Sequence, residues 1–216
     1  MKLNKLKLLN FKSHLDSRWN FDNNIVCFIG DNGSGKTNIL DAIHYLSLTK
    51  SYFNSRDSVN IHFDNIFFTI SGDFEINNVI SNVVCSYQKD NLKKAIKNNG
   101  KKYKRFSDHI GLFPLVIISP SDSDLITLGS DLRRKFLDGI ISQFDHSYLE
   151  NLLVYNKAVT QRNALLKYFQ KNRTFNQDQL DSWNGQLVKY GEVLFEKRQK
   201  LIYDLTPVFQ KYYQQK

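Results

Sequence analysis

Residues 25–43 read IVCFIGDNGSGKTNILDAI, and this stretch decides the fold. The apolar run Ile25, Val26, Cys27, Phe28, Ile29 predicts a buried strand, and Ile39, Leu40, Ala42 and Ile43 fall at helical spacing after a glycine-rich turn. Between them, Gly30 to Thr37 fits G-x-x-x-x-G-K-[ST], the pattern of a phosphate-binding loop. The residue types follow from the chemistry. Gly30, Gly33 and Gly35 let the backbone turn so that successive N–H groups face phosphate oxygens. A helix starting near Lys36 adds the positive end of its dipole. Lys36 would reach the β and γ phosphates, and the Thr37 hydroxyl would ligate magnesium. The candidate nucleotide set is therefore Gly30, Asp31, Asn32, Gly33, Ser34, Gly35, Lys36 and Thr37. The competing reading is a strand-turn-helix that happens to be glycine-rich; the full pattern within that strand and helix context favours nucleotide binding.

Upstream, LNKLKLLNF (3–11) alternates as a strand does, and KSHLDSRWNF turns into a second extended segment. Downstream, Thr49 to Asn60 is polar, and residues 67–74, 79–87 and 93–97 read as strands separated by turn signals. Asn98-Asn99-Gly100 is a strong hairpin signal. This block is most simply an antiparallel sheet inserted after the first helix.

The hairpin region 93–105, KKAIKNNGKKYKR, holds seven basic residues and no acidic one, within a chain whose net charge is +9. Lys101, Lys102, Lys104 and Arg105 are candidate contacts for a DNA phosphate backbone, which would be salt-dependent and blind to sequence. A solvated edge hairpin protected from aggregation by its lysines is the competing explanation.

The two cysteines, Cys27 and Cys85, lie in apolar runs and read as buried reduced thiols, and the five histidines show no metal-ligand spacing. At 216 residues and 41% hydrophobic the chain can bury a large core. No run is long and apolar enough to cross a membrane, and the N-terminus has no signal-peptide pattern, so the expectation is a cytoplasmic protein. FPLVIISPSD (113–122) reads as a core strand entering a loop, not as an acid-tipped magnesium strand, because Ser119-Pro120-Ser121 separate the apolar run from Asp122. Two long helical patterns close the chain, about 148–169 and 179–205, and Pro207 is expected to end or kink the second.

Asn10-Phe11-Lys12 at the end of the first strand, followed by a short hairpin and GDNGSGKTNILDAI, resembles the ABC-type chromosome and repair ATPases, of which RecF and SMC are members. ISPSDSDLITLGSDLRRKFLDGIISQFD (118–145), YNKAVTQRNALLK (155–167) and LDSWNGQLVKYG (180–191) are similar to RecF, and the two helices are far too short for an SMC arm. The resemblance implies an α/β fold: an ABC-type P-loop ATPase lobe with an antiparallel β insertion (1–125) and a mostly helical, incomplete lobe (126–216). It places Lys12, Ser13 and His14 near the base and ribose, and Asp122 in a nucleotide-facing loop. It implies ATP and Mg2+ as cofactors, and an ATP-dependent homodimer on single-stranded or gapped DNA. It further implies cooperation with RecO and RecR in loading RecA, and a part in DNA replication, repair and the SOS response.

An acid-bearing strand and a Ser-Gly signature, both needed for hydrolysis, are not found before Lys216, so turnover by this polypeptide alone is not expected. Two other readings stay open: a conventional P-loop kinase or NTPase, and a DNA-binding module with a vestigial phosphate loop.

Overall fold

Alternation along Lys2–Phe11 (β1) sends Leu6 and Leu8 to one side and Lys5 and Lys7 to the other, so the strand pairs on both edges with one face left to pack. The computed structural model describes residues 1–214. They divide into two compact units, Met1–Ile117 and a second beginning at Ile118.

In the first unit β1 hairpins into His14–Asn20 (β2), with Asn10 and Lys12 at positive φ in the tight reversal. Phe67–Ile76 (β3), Val79–Gln88 (β4), Lys93–Asn98 (β5) and Lys101–Lys102 (β6) complete a six-stranded sheet, ordered β2-β1-β3-β4-β5-β6 and antiparallel throughout. Its two-residue turns follow the left-handed geometry that favours asparagine and glycine: Asn77 and Asn78 join β3 to β4, and Asn99 and Gly100 (φ +49 and +79) join β5 to β6. The expected inserted sheet and hairpin are present.

Helix Lys36–Leu48 (α1) supplies the other half of this core. Ile39, Ala42, Tyr45 and Leu46 bury against Leu6, Leu8, Phe68, Ile70, Cys85 and Ile96. Phe11, Tyr45 and Phe68 meet edge-on, with centroids 5.3–6.3 Å apart, the arrangement aromatic quadrupoles favour. Leu40, read as apolar-face, instead points outward.

Two expected strands do not form. Residues 25–29 form no strand, Ile25 lying in a bend, and Ile25 and Ile29 are 84% and 94% exposed. Residues 113–118 also form no strand: Phe113 is buried, its carbonyl accepting from Ser47 Oγ, whereas Val116 and Ile118 are exposed. The physical reason is common to both. A strand exists only by exchanging hydrogen bonds with a neighbour, and all six strands of the sheet pair among themselves. Cys27 is accordingly exposed and not a buried thiol, while burial pushes the Cys85 thiol up to about 12.

The second unit is helical: Asp124–Thr127 (α2), Ser130–Phe144 (α3), His146–Asn172 (α4) and Gln177–Tyr213 (α5). Both long helices carry side-chain caps, Asp145 accepting from the Tyr148 N–H and Asn176 from the Gln179 N–H. Ile141, Tyr148 and Leu194 form the core, flanked by Leu152, Tyr155 and Leu201. The Arg198 guanidinium binds both oxygens of Asp138, with the Tyr148 hydroxyl on the same carboxylate, so α3, α4 and α5 are tied at one point. Pro207 does not end α5, which runs on to Tyr213 with the proline inside it. A proline removes one N–H and crowds one preceding carbonyl; the turns on either side keep their helical conformation here.

Candidate nucleotide site

The phosphate-binding pattern folds into the loop it predicts. Gly33 and Gly35 take φ of +85 and +94, which side-chain-bearing residues rarely adopt, and Ser34 N–H closes the turn onto Asp31 O at 3.2 Å. Gly35 is the N-cap of α1, so no side chain caps the helix start, and its first turn carries no acid. An uncapped helix start presents N–H donors and positive dipole to any anion placed there. Asp31, Asn32, Gly33, Ser34 and Thr37 are exposed, so the loop is open to solvent.

Lys36 folds back over its own loop: the ammonium lies 2.7 Å from Gly30 O and 2.7 Å from Asp31 O. Two carbonyl oxygens hold it where phosphate oxygens would compete for the same protons. The loop therefore fits a phosphate chain in backbone conformation, charge and access, and Thr37 stands free to offer its hydroxyl to a cation. Among the described residues no group of three or more His, Cys, Asp and Glu side chains could hold a metal ion.

The floor of the loop is set by the β1–β2 hairpin. His14 Nε2 lies 3.2 Å from Gly35 O, and its Nδ1 lies 3.1 Å from Ser17 Oγ. The carbonyl requires the proton on Nε2, leaving Nδ1 to accept from the serine. Ser13 Oγ accepts from Asn38 Nδ2 at 2.8 Å. A Cβ on Gly35 would sit 2.5 Å from Ser13 Oγ and 2.6 Å from His14 Nε2, so only glycine lets the hairpin approach. Ser13 and His14 are thus placed under the loop.

Lys12 has a different engagement. Its ammonium is 2.6 Å from Asp41 Oδ2, and Asp41 is fully buried on α1. The same carboxylate accepts from Ser51 Oγ at 2.7 Å and Tyr52 N–H at 2.6 Å. Asp41 thereby ties the hairpin and the segment after α1 to the helix that carries the phosphate loop. Sequence inspection missed it, because an acid inside a helix looks like a solvated one until its partners, 29 residues upstream and 10 downstream, converge on it.

The basic hairpin divides by role. Lys94 is committed to structure, with its ammonium 3.0 Å from Asp57 Oδ2 and 4.8 Å above the Tyr45 ring. Burial, and then the Asp57 carboxylate accepting its hydroxyl proton, pushes the Tyr45 phenol well above its ordinary range. Lys101 and Lys102 are exposed on the edge strand β6, and Lys104 and Arg105 are exposed in the bend that follows it. Asp122 closes a capping box with Ser119 in the second unit, its Oδ2 accepting from Ser119 N–H at 2.8 Å.

Comparison with known proteins then decides the family. The AAA domain family matches residues 5–215. This chain is an AAA domain protein. The chain is 50% identical to the DNA replication and repair protein RecF of Flavobacterium johnsoniae, over 99% of this chain and 59% of that protein. It is 45% identical to RecF of Parabacteroides distasonis, over 99% of this chain and 57% of that protein. Among solved structures, the recombination mediator protein RecF with ATP superposes with a TM-score of 0.88 at 32% identity, covering 95% of this chain and 55% of that one. The chain thus spans somewhat over half the length of the relatives it matches, and the expected RecF resemblance and ATPase-lobe fold are met. Among the described residues no helix is long and apolar enough to cross a membrane.

Proposed function

We propose that this chain is the nucleotide-binding part of a RecF-like DNA replication and repair ATPase of the cytoplasm. The observation that carries the reading is the Gly30–Thr37 loop, with its exposed cradle, uncapped helix start and Lys36 held only by two loop carbonyls. The ligand is ATP with magnesium. Backbone N–H groups between Gly33 and Thr37 bind phosphate oxygens, Lys36 leaves the carbonyls of Gly30 and Asp31 for the β and γ phosphates, and Thr37 ligates the cation. Magnesium, when bound, neutralises charge on the phosphates. Ser13 and His14 position the loop from below.

The wider activity rests on the likeness to RecF: ATP-dependent dimerisation on single-stranded or gapped DNA, assistance to RecA loading with RecO and RecR, and a part in the SOS response. DNA engagement through Lys101, Lys102, Lys104 and Arg105 belongs to the same proposal. Its direct test is magnesium-dependent binding of a fluorescent ATP analogue by this chain and by Lys36→Ala, with turnover followed in the same samples. Binding that is lost in the variant is expected, without measurable turnover. Equal binding by both proteins would remove the phosphate loop as the site.

A further inference from the structure

The side of α1 that carries Thr37 also carries Asp41, one turn on and about 6 Å further along the axis. The Asp41 carboxylate gathers three donors there: the Lys12 ammonium, the Ser51 hydroxyl and the Tyr52 N–H. The last two fix the segment that follows the helix, and with it the ring of Phe53. Tyr52 meets that ring edge-on at 5.0 Å and is itself edge-on to the buried His44 at 5.4 Å. The Lys12 ammonium stands 5.4 Å from the Phe53 centroid, within reach of the ring's quadrupole. A buried carboxylate, a cation and a neighbouring ring thus hold in place a phenylalanine that is 45% exposed. Lys12 also directly precedes Ser13 and His14, which form the floor of the phosphate loop. The open part of the Phe53 ring is therefore built onto the hairpin and the helix that flank the phosphate site.

We infer that Phe53 is the platform for the base of the bound nucleotide, which stacks on the open part of its ring while the phosphates occupy the Gly30–Thr37 loop. The inference deepens the proposed function and rests on it. Every nucleobase has a flat π-face, and stacking on an aromatic side chain needs no particular hydrogen-bonding edge. The contact therefore favours nucleotides over bare phosphate chains, and larger purine faces over smaller pyrimidine ones. Asp41 is the positioning residue behind it. By holding Lys12 and the Ser51–Tyr52 backbone it fixes the ring before the ligand arrives, so little ordering remains to oppose binding. Phe63 is 83% exposed in a turn further along and lies outside the Asp41 network, which makes it a control for exposure alone.

The test measures dissociation constants by calorimetry for ATP, CTP and inorganic tripolyphosphate, each with magnesium. The unaltered chain is compared with F53A, F53L, F53Y, F63A and K36A, and folding is checked for each by circular dichroism. F53A and F53L should bind ATP about 5- to 150-fold more weakly, the worth of one stacked base, while holding tripolyphosphate as the parent does. The preference for ATP over CTP should narrow in both. F53Y keeps the ring and should match the parent with all three ligands, as should F63A. Unchanged ATP affinity in F53L beside lost binding in K36A overturns the platform and leaves the phosphate-loop reading standing. An equal loss of ATP and tripolyphosphate in F53L also overturns it, because the ring then acts on the shape of the loop and not on the base. Equal binding of both ligands by K36A and the parent overturns the phosphate-loop reading, and the platform with it. If F53A does not fold, the contrast between F53L and F53Y carries the same expectation.

Discussion

Substituting Gly35 by alanine should damage this protein far more than the same change at Gly33, two residues away in the same loop. Both glycines have left-handed φ, +94 and +85, so each substitution carries a backbone penalty of roughly 1–2 kcal/mol. At Gly33 nothing lies within 4 Å of the added Cβ, and the penalty ends there. At Gly35 the new carbon would stand 2.5 Å from Ser13 Oγ and 2.6 Å from His14 Nε2. Ser13 can rotate away at the cost of its bond from Asn38, whereas the His14 ring is held by Ser17 and lies edge-on to Trp19 at 5.3 Å. Loss of the His14–Gly35 and Asn38–Ser13 bonds adds roughly 0.5–1.5 kcal/mol each. The total for Gly35→Ala is therefore roughly 2–5 kcal/mol, against roughly 1–2 kcal/mol for Gly33→Ala. Trp19 reports on this region in a Trp183→Phe background, so urea unfolding followed by fluorescence measures the difference, and ATP-analogue titration measures the effect on the loop. Equal destabilisation by the two substitutions would show that the hairpin does not brace the phosphate loop as described.

Two further outcomes follow from buried charge. Asp41→Asn should cost about 3–5 kcal/mol, because it leaves the Lys12 ammonium without its counter-charge in a largely buried position, and protease should then cut within residues 49–56 faster than in the parent; an unchanged urea midpoint contradicts the proposed tie. Stability should also fall as pH drops below about 6.5, since burial lowers the pKa of His44 and of His109, so the unfolded chain takes up protons that the folded one refuses. Replacing His109, whose Nε2 donates to Leu46 O at 2.7 Å, by Gln should flatten the dependence between pH 6.5 and 5, and an identical pH profile in the variant would assign the acid lability elsewhere.

The sequence by itself determined the phosphate loop, because glycine, lysine and threonine at that spacing do their work through backbone conformation and local charge. It also determined α1 and β1 to β5 within a residue or two at most ends, and the two closing helices, since alternation, helical spacing and Asn-Gly turns are local signals. Tertiary structure alone decided the rest. Asp41 becomes a buried anchor only when Lys12, Ser51 and Tyr52 converge on it, and Lys94 leaves the basic hairpin's free charge only because Asp57 and Tyr45 meet it. Residues 25–29 and 113–118 have strand composition yet no strand, because pairing belongs to a neighbour and not to the segment. Arg18, Lys7, Ser71, Val84, Lys97 and Lys102 stand side by side across the sheet although 84 positions separate the first from the last in the order of the strands, and only the register of six strands brings them together. Local chemistry is written in the order of residues, whereas burial, pairing and shared faces depend on which distant residues the fold brings alongside.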